Sequence, residues 1–476
     1  MTLVLSLLPV AGALLVVSGV GFVTSGAFVP RDRAFFLERL GWSDAIGCAA
    51  VMAFVPAALG IGVRPGWIAF LVFVALLVAA ARLLAPLTLP SPPAGGRGND
   101  LERRAGDNDR PLPTGEGWGE GRSFRVLLYS VISLGVAVYT LRALTEPMWA
   151  NDFIAIWGLK GKTIFGAVGY PGRLRALEFA HPEYPLGLPL LYAGLSFLTG
   201  RWDDHAMALL FPFLQAATLL VLFGWLRRRG ASSAVAGLAT AIVAWFEPLY
   251  SAFLTGMAEV PLAFGMLLFG TALADTLDET DGGAVRRLAL ASALIAATKN
   301  EGLFLAVVGF AIALVFGKAA RWNAAASALL PALGVRALHL PWRSRLPLAD
   351  LEVGSFSPDR VWDSLAAAGG LLGPAAWAGL ALVVVLIAAG ARVPAGNRVL
   401  LLAAAALAAY LVIPAFAVRG PAWLVETTLR RTAAALAPLL AAGLAVRFIG
   451  ASSGSGTGRR ASAPNPGPPT PSTRAS

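Results

Sequence analysis

Apolar runs broken by short polar segments dominate the chain as far as residue 450. A helix needs about 20 apolar residues to cross a bilayer. By that measure the early spans fall at 2–24, 45–63, 67–84 and 125–143. Later spans follow at 206–225, 231–253, 257–276, 286–298, 301–317, 322–340, 366–390, 397–416 and 432–450. These are 13 predicted spans, and the fold class they predict is an all-α polytopic transmembrane helix bundle. One more apolar stretch, 186–199, is short for a crossing. It reads as a re-entrant or interfacial helix, or as a tilted span.

Two segments break the pattern. Residues 85–124 carry proline and glycine at a density that forms no packed core. The ends of this segment look like a translated GC-rich repeat inserted into a cytoplasmic linker, so its deletion is expected to leave function intact. The tail 451–476 is rich in Gly, Ser, Pro and Thr and reads as disordered. The predicted organisation is a three-span segment 1–84, the linker, a central module 125–317 with an outer loop 144–205, and C-terminal spans 318–450. No internal repeat is visible.

Composition supports the membrane reading. Hydrophobic residues make up 57% of the 476 and charged residues only 14%, against about 25% charged in soluble domains. The net charge of +11 sits largely in short loops between spans, where orientation signals belong. It therefore points to anionic lipid surfaces, not nucleic acid. The single cysteine, Cys48, excludes an intramolecular disulfide and a cysteine metal site. The N-terminus lacks a basic flank and a small-residue cleavage site, so 2–24 is expected to be retained. Basic residues at 227–229, 318–321 and 392 belong in the cytoplasm by the positive-inside rule. Parity then works if 186–199 does not cross, and it places 144–205 outside.

That outer loop is the most polar segment between spans. Asp152 opens it, an apolar and basic helical run follows, and His181, Pro182, Glu183, Tyr184 and Pro185 close it. Lys160, Lys162, Arg173 and Arg175 are basic residues on a face where they are normally scarce. Two readings stay open: lysines snorkelling to headgroups from an interfacial helix, or binders of a phosphate. Asp152 has two readings as well, an N-cap for the helix beginning at Phe153 or a reactive acid.

Further polar residues gather at predicted outer ends. They are Glu259 in GMAEVPLAF, Lys299 and Glu301 in ATKNEGLF, and Arg430 and Arg431 after VETTL. Each alone reads as an anchor; counted with Asp152 and Glu183, five groups on one predicted face read as a site. An acidic opener of the first outer loop, HPEYPLGLPLL and AEVPLAF together resemble the GT-C superfamily of polytopic glycosyltransferases. The similarity lies near its family 39 and lipid-A-modifying branches and covers about residues 125–310. Tyr184 stands where the family's Pro-Pro-Leu-like motif has a proline. Glu259 stands where its Asp-x-Pro-Leu motif has aspartate. The resemblance implies a GT-C-like catalytic module, a polyprenyl-phosphate-linked sugar donor, transfer on the outer face and Asp152 as catalytic base. Glu183 and Glu259 join Asp152 as catalytic candidates. Lys160, Lys162, Lys299, Glu301, Arg430 and Arg431 are the substrate-binding candidates. A divalent metal is left open, with His181 and Glu183 as its candidate ligands. The rival functions are a transporter or flippase of lipid-linked sugars, a polysaccharide polymerase or ligase, and a non-catalytic assembly protein.

Overall fold

The computed structural model of the protein describes residues 2–29, 36–84, 120–166, 181, 184–278, 283–317, 321–343, 359, 363, 366, 395–412 and 429–454. Every regular element among these residues is helical. In chain order they begin with α1 (Thr2–Ser25), α2 (Phe36–Gly60), α3 (Trp67–Leu84) and α4 (Glu120–Thr145). A π-helical turn, Phe153–Trp157, leads into α5 (Gly158–Gly166). Then come α6 (Gly187–Thr199), α7 (Asp204–Met207), α8 (Leu210–Arg228), α9 (Ser233–Ala244) and α10 (Glu259–Leu277). The chain continues through α11 (Ala284–Thr298), α12 (Asn300–Phe316), α13 (Arg321–Arg343), α14 (Ala395–Val412), α15 (Arg430–Ala435) and α16 (Ala437–Gly454).

The central post is α10. Every one of its residues is buried, as expected of a helix that is apolar all round. It packs against α8, α11, α12, α13, α14, α15 and α16. Pro261 sits in its first turn, where a missing N–H costs nothing. Two acids mark its ends: Glu259 begins it and Asp275 lies in its last turn, about 24 Å away at 1.5 Å per residue.

Charged partners orient the neighbours along this post. Arg228, the last residue of α8, and Arg287, in the first turn of α11, both pair with Asp275. Lys299, just after α11, pairs with Glu259. Thus α8 and α10 both run toward the Asp275 end, and α11 runs back. At that same end Glu38 of α2 binds Arg228 at 2.8 Å and Arg398 of α14 pairs with Asp278.

Among the described residues, five helical stretches are long and apolar enough to cross a membrane: Leu7–Ser25, Phe36–Gly60, Ser123–Thr145, Asp204–Arg228 and Glu259–Leu277. Other apolar helices are shorter, among them Gly187–Thr199, Ser233–Ala244 and Asn300–Phe316. Several expected boundaries move. The second span was expected from 45, but α2 starts at Phe36. Its extra turns carry Glu38, Arg39 and Asp44, and partners from other elements satisfy them. Arg39 donates to Ser25 and to the Phe22 carbonyl at 2.7 and 3.1 Å, and Ser18 donates to Asp44. The stretch 231–253 is not one helix: α9 stops at Ala244, and a single 3₁₀ turn, Ala252–Leu254, follows. At the C-terminus the helix runs on to Gly454, past the expected start of the tail at 451. The predicted span 366–390, apart from its first residue, and most of the linker lie outside the described residues.

The short helix α6 is buried along nearly its whole length of 13 residues. Both its ends meet the Glu259 end of the bundle. At its start, Gly187 faces the carbonyl of Ala297, in the last turn of α11. Near its finish, Ser196 donates to the Met207 sulfur at 3.3 Å, just before α8 sets off toward Asp275.

Candidate functional site

The site is assembled at the Glu259 end. Asp152 precedes the π turn, and the Ala150 carbonyl accepts from Phe153 and Ile154 to start that turn. Phe153 packs edge-on against Tyr192 of α6, with ring centroids 5.7 Å apart. The Tyr192 hydroxyl donates to the Gly256 carbonyl at 2.9 Å. Gly256 has φ +94°, and a side chain there would press on Met148 and Phe153 at 3.1 Å. Glycine relieves both constraints. The loop bearing Asp152 is thereby pinned to the turn that launches α10, which puts Asp152 near Glu259.

A row of five alternating charges results. Arg431 reaches Asp152 at 2.7 Å and Glu259 at 2.6 Å. Lys299 reaches Glu259 at 3.2 Å and Glu301 at 2.9 Å. Three carboxylates against two cations leave the row one charge negative. Exposure is graded along it: the Glu259 side chain is fully enclosed, whereas that of Asp152 is 30% exposed. Burial alone would discharge Lys299, but the adjacent Glu259 and Glu301 carboxylates outweigh it and hold its pKa above the ordinary lysine value. Arg431 behaves alike: burial opposes its charge, and Glu259 and Asp152 more than compensate.

Two details bear on chemistry. The Asp152 side chain makes no capping bond to the turn that follows it. Its carboxylate accepts from Arg431 instead, so the N-cap reading does not describe it. Arg431 donates from Nε and Nη2 alone. Among the described residues nothing engages Nη1, which leaves two N–H groups of the guanidinium for a ligand.

The other expected residues are placed as follows. Arg430 is exposed beside Arg431. Lys162 is exposed on α5. Lys160 is not presented to a phosphate: it is buried, and its ammonium donates to the His181 carbonyl at 2.5 Å. That bond braces the far end of the loop. His181 stacks on Tyr184, which in turn stacks on Trp157 with ring planes 11° apart. Glu183, Arg173 and Arg175 lie outside the described residues. Among the described residues no three His, Cys, Asp or Glu side chains gather as a metal site. Gly161, which echoes a phosphate-loop ending in sequence, has a packing role instead, lying against Tyr192 and the Pro189 carbonyl.

Sequence reasoning missed two features. Tyr410 of α14 is buried at this end and within electrostatic reach of Glu301, Lys299 and Glu259. Its only signal was a phenol inside an Ala/Leu run. The second is a charge cluster at the other end, where Asp275 takes Arg228, Arg229 and Arg287. The charges of this chain therefore collect at both ends of the bundle, not at one. No family model matches the chain, and neither any curated protein nor any solved structure does.

Proposed function

We propose that this protein is a multi-pass membrane glycosyltransferase of GT-C type. It moves a sugar from a polyprenyl-phosphate donor to an envelope acceptor on the outer face of a bacterial inner membrane. The observation that carries this reading is the Asp152–Arg431–Glu259 arrangement. It sets a solvent-accessible carboxylate beside a guanidinium that still has donors to offer.

The chemistry follows from that pairing. The acceptor hydroxyl attacks the anomeric carbon of the sugar. Its proton passes to Asp152 as the new carbon–oxygen bond forms. The bond from the anomeric carbon to the phosphate oxygen breaks, and the electron pair leaves with the lipid phosphate. Arg431 Nη1 and the exposed Arg430 meet the charge gathered there. Glu259, itself anchored by Lys299, holds Arg431 in place from the buried side. The arginines at 227–229, with Arg286, Arg287 and Arg398, support a cytoplasmic Asp275 end by the positive-inside rule, and with it an outward-facing site. Thirteen spans with α6 dipping in from the outer face fit this orientation.

A transporter of lipid-linked sugars is the second reading, and Asp44 favours it. This acid is buried two turns inside α2 with Ser18 as its recorded partner, and ionisable groups within spans often line transport paths. One experiment separates the two. Mass spectrometry of envelope glycans and lipids from a deletion strain identifies the missing product. Complementation with Asp152→Asn then tests the base. Asparagine keeps size and hydrogen bonding but accepts no proton, so transfer is expected to fall about 10²–10⁴-fold with donor binding retained. Full restoration by Asp152→Asn would remove Asp152 as the base and leave transport the better reading.

A further inference from the structure

Glu259 takes all its recorded donors on one oxygen. Lys299 Nζ, Arg431 Nε and Arg431 Nη2 converge on Oε1 at 3.2, 3.0 and 2.6 Å. Oε2 is buried and unpartnered among the described residues. The Tyr410 hydroxyl is buried and unpartnered too. Burying one polar atom without a hydrogen bond costs about 1–3 kcal/mol, and more for a charged one. Buried unpartnered atoms occur elsewhere too, at Trp157, Tyr250 and Gln215 among others; these two are set apart by adjoining the one charge network of Glu259, Lys299 and Glu301. Neither holds a helix end or braces a loop. A carboxylate oxygen accepts only, while a phenol accepts and donates. Together they complement a group with adjacent hydroxyls or an amine.

We propose that Glu259 Oε2 and the Tyr410 hydroxyl form a subsite for a polyol, the sugar ring of the ligand, on the buried side of Arg431. This rests on the transferase reading for the identity of the ligand and adds what that reading lacks, a place where the sugar itself is recognised. Arg431 joins the two halves: Nη1, unengaged among the described residues, is left for the phosphate, while Nε and Nη2 hold the acid that reads the ring. Recognition by buried polar groups discriminates strongly, because a ligand lacking the hydroxyl leaves them unpaired.

Tyr410→Phe tests the proposal cleanly, since it deletes a hydroxyl that makes no bond within the described protein. A purely structural Tyr410 predicts unchanged or raised melting temperature and unchanged binding. The full chain in nanodiscs is titrated with undecaprenyl phosphate and with undecaprenyl phosphate bearing a pentose or a hexose. Tyr410→Phe is expected to bind the bare lipid like wild type and a sugar-bearing lipid about 3–10-fold more weakly, the worth of one neutral hydrogen bond. Glu259→Asp, which keeps the charge but withdraws the carboxylate from Arg431 as well, is expected to weaken the bare lipid too and the sugar-bearing lipids further. Equal binding of all three lipids by wild type and Tyr410→Phe overturns the subsite. If wild type itself ignores the attached sugar, the lipid-linked donor reading fails. The subsite then falls as well unless millimolar D-glucose, L-arabinose or myo-inositol raises the melting temperature of wild type and not of Tyr410→Phe.

Discussion

Glu259 is the residue on which the outer cluster depends. Two cations share its Oε1; Glu259 and Lys299 are buried, and Arg431 is largely so. Removing one partner of a buried ion pair costs about 3–5 kcal/mol, mainly because the surviving charge is stranded. Glu259→Leu is therefore expected to lower the melting temperature of the detergent-solubilised protein sharply. Adding Lys299→Met should recover a small part of the loss at most, since it removes one under-paired cation but leaves Glu301 without its partner, while Asp152 still serves Arg431. A double variant as unstable as the sum of its single variants would show that Lys299 and Glu259 are not coupled. Asp152, Glu259, Lys299, Glu301 and Arg431 were legible in the sequence because charge stands out against an apolar background. Their mutual pairing was not legible, since 279 positions separate Asp152 from Arg431. Lys160 misled for a related reason: a lysine's place in sequence does not say whether its ammonium meets solvent or a carbonyl.

Among the helices, apolar runs foretold which exist more faithfully than where they end. The limits of α3 match the run 67–84, and those of α12 lie within one residue of theirs. The start of α2 was hidden because a hydropathy reading treats Glu38 and Arg39 as loop. Arg228, Ser25 and the Phe22 carbonyl supply the partners that keep them helical. No local signal reports such distant partners. The seat of α6 makes a further prediction. A methyl group on Gly187 would overlap the Ala297 carbonyl, backbone that cannot swing aside as a flexible side chain does. Gly187→Ala is expected to cost about 1–3 kcal/mol as overpacking, read as a lower melting temperature. Gly200→Asn serves as the control: Gly200 has φ +78° and open space around it, and asparagine tolerates that backbone conformation best after glycine. Equal stability for Gly187→Ala and wild type would mean that α6 is not clamped against α11.

Across the whole molecule, α10 carries a charge network at each end. The outer one is short of positive charge by one unit. In the other, Arg228, Arg229, Arg287 and Arg398 face Glu38, Asp275 and Asp278, an excess of one positive charge. Exposed Arg286 adds to that excess. By the positive-inside rule the Asp275 end is expected in the cytoplasm and the Asp152 loop outside, an orientation that cysteine labelling tests directly. With Cys48 replaced by alanine, single cysteines at positions 162 and 286 report the two ends, both being exposed. A membrane-impermeant maleimide added to intact spheroplasts is expected to label Lys162→Cys at once and Arg286→Cys only after permeabilisation. A third cysteine at exposed position 201, just past α6, tells whether that helix crosses. If α6 enters and leaves by one face, position 201 labels from outside together with 162. Labelling of 162 and not 201 would make α6 a span. Parity would then carry the arginines at 227–229 outside while Asp152 stays outside, and a single bundle end could not hold both Glu259 and the start of α8. Labelling of 286 from outside, with 162 protected, would invert the whole molecule. The Asp152 site would face the cytoplasm, where nucleotide-activated sugars reach an enzyme without a lipid carrier, and the polyprenyl-phosphate donor would lose its reason.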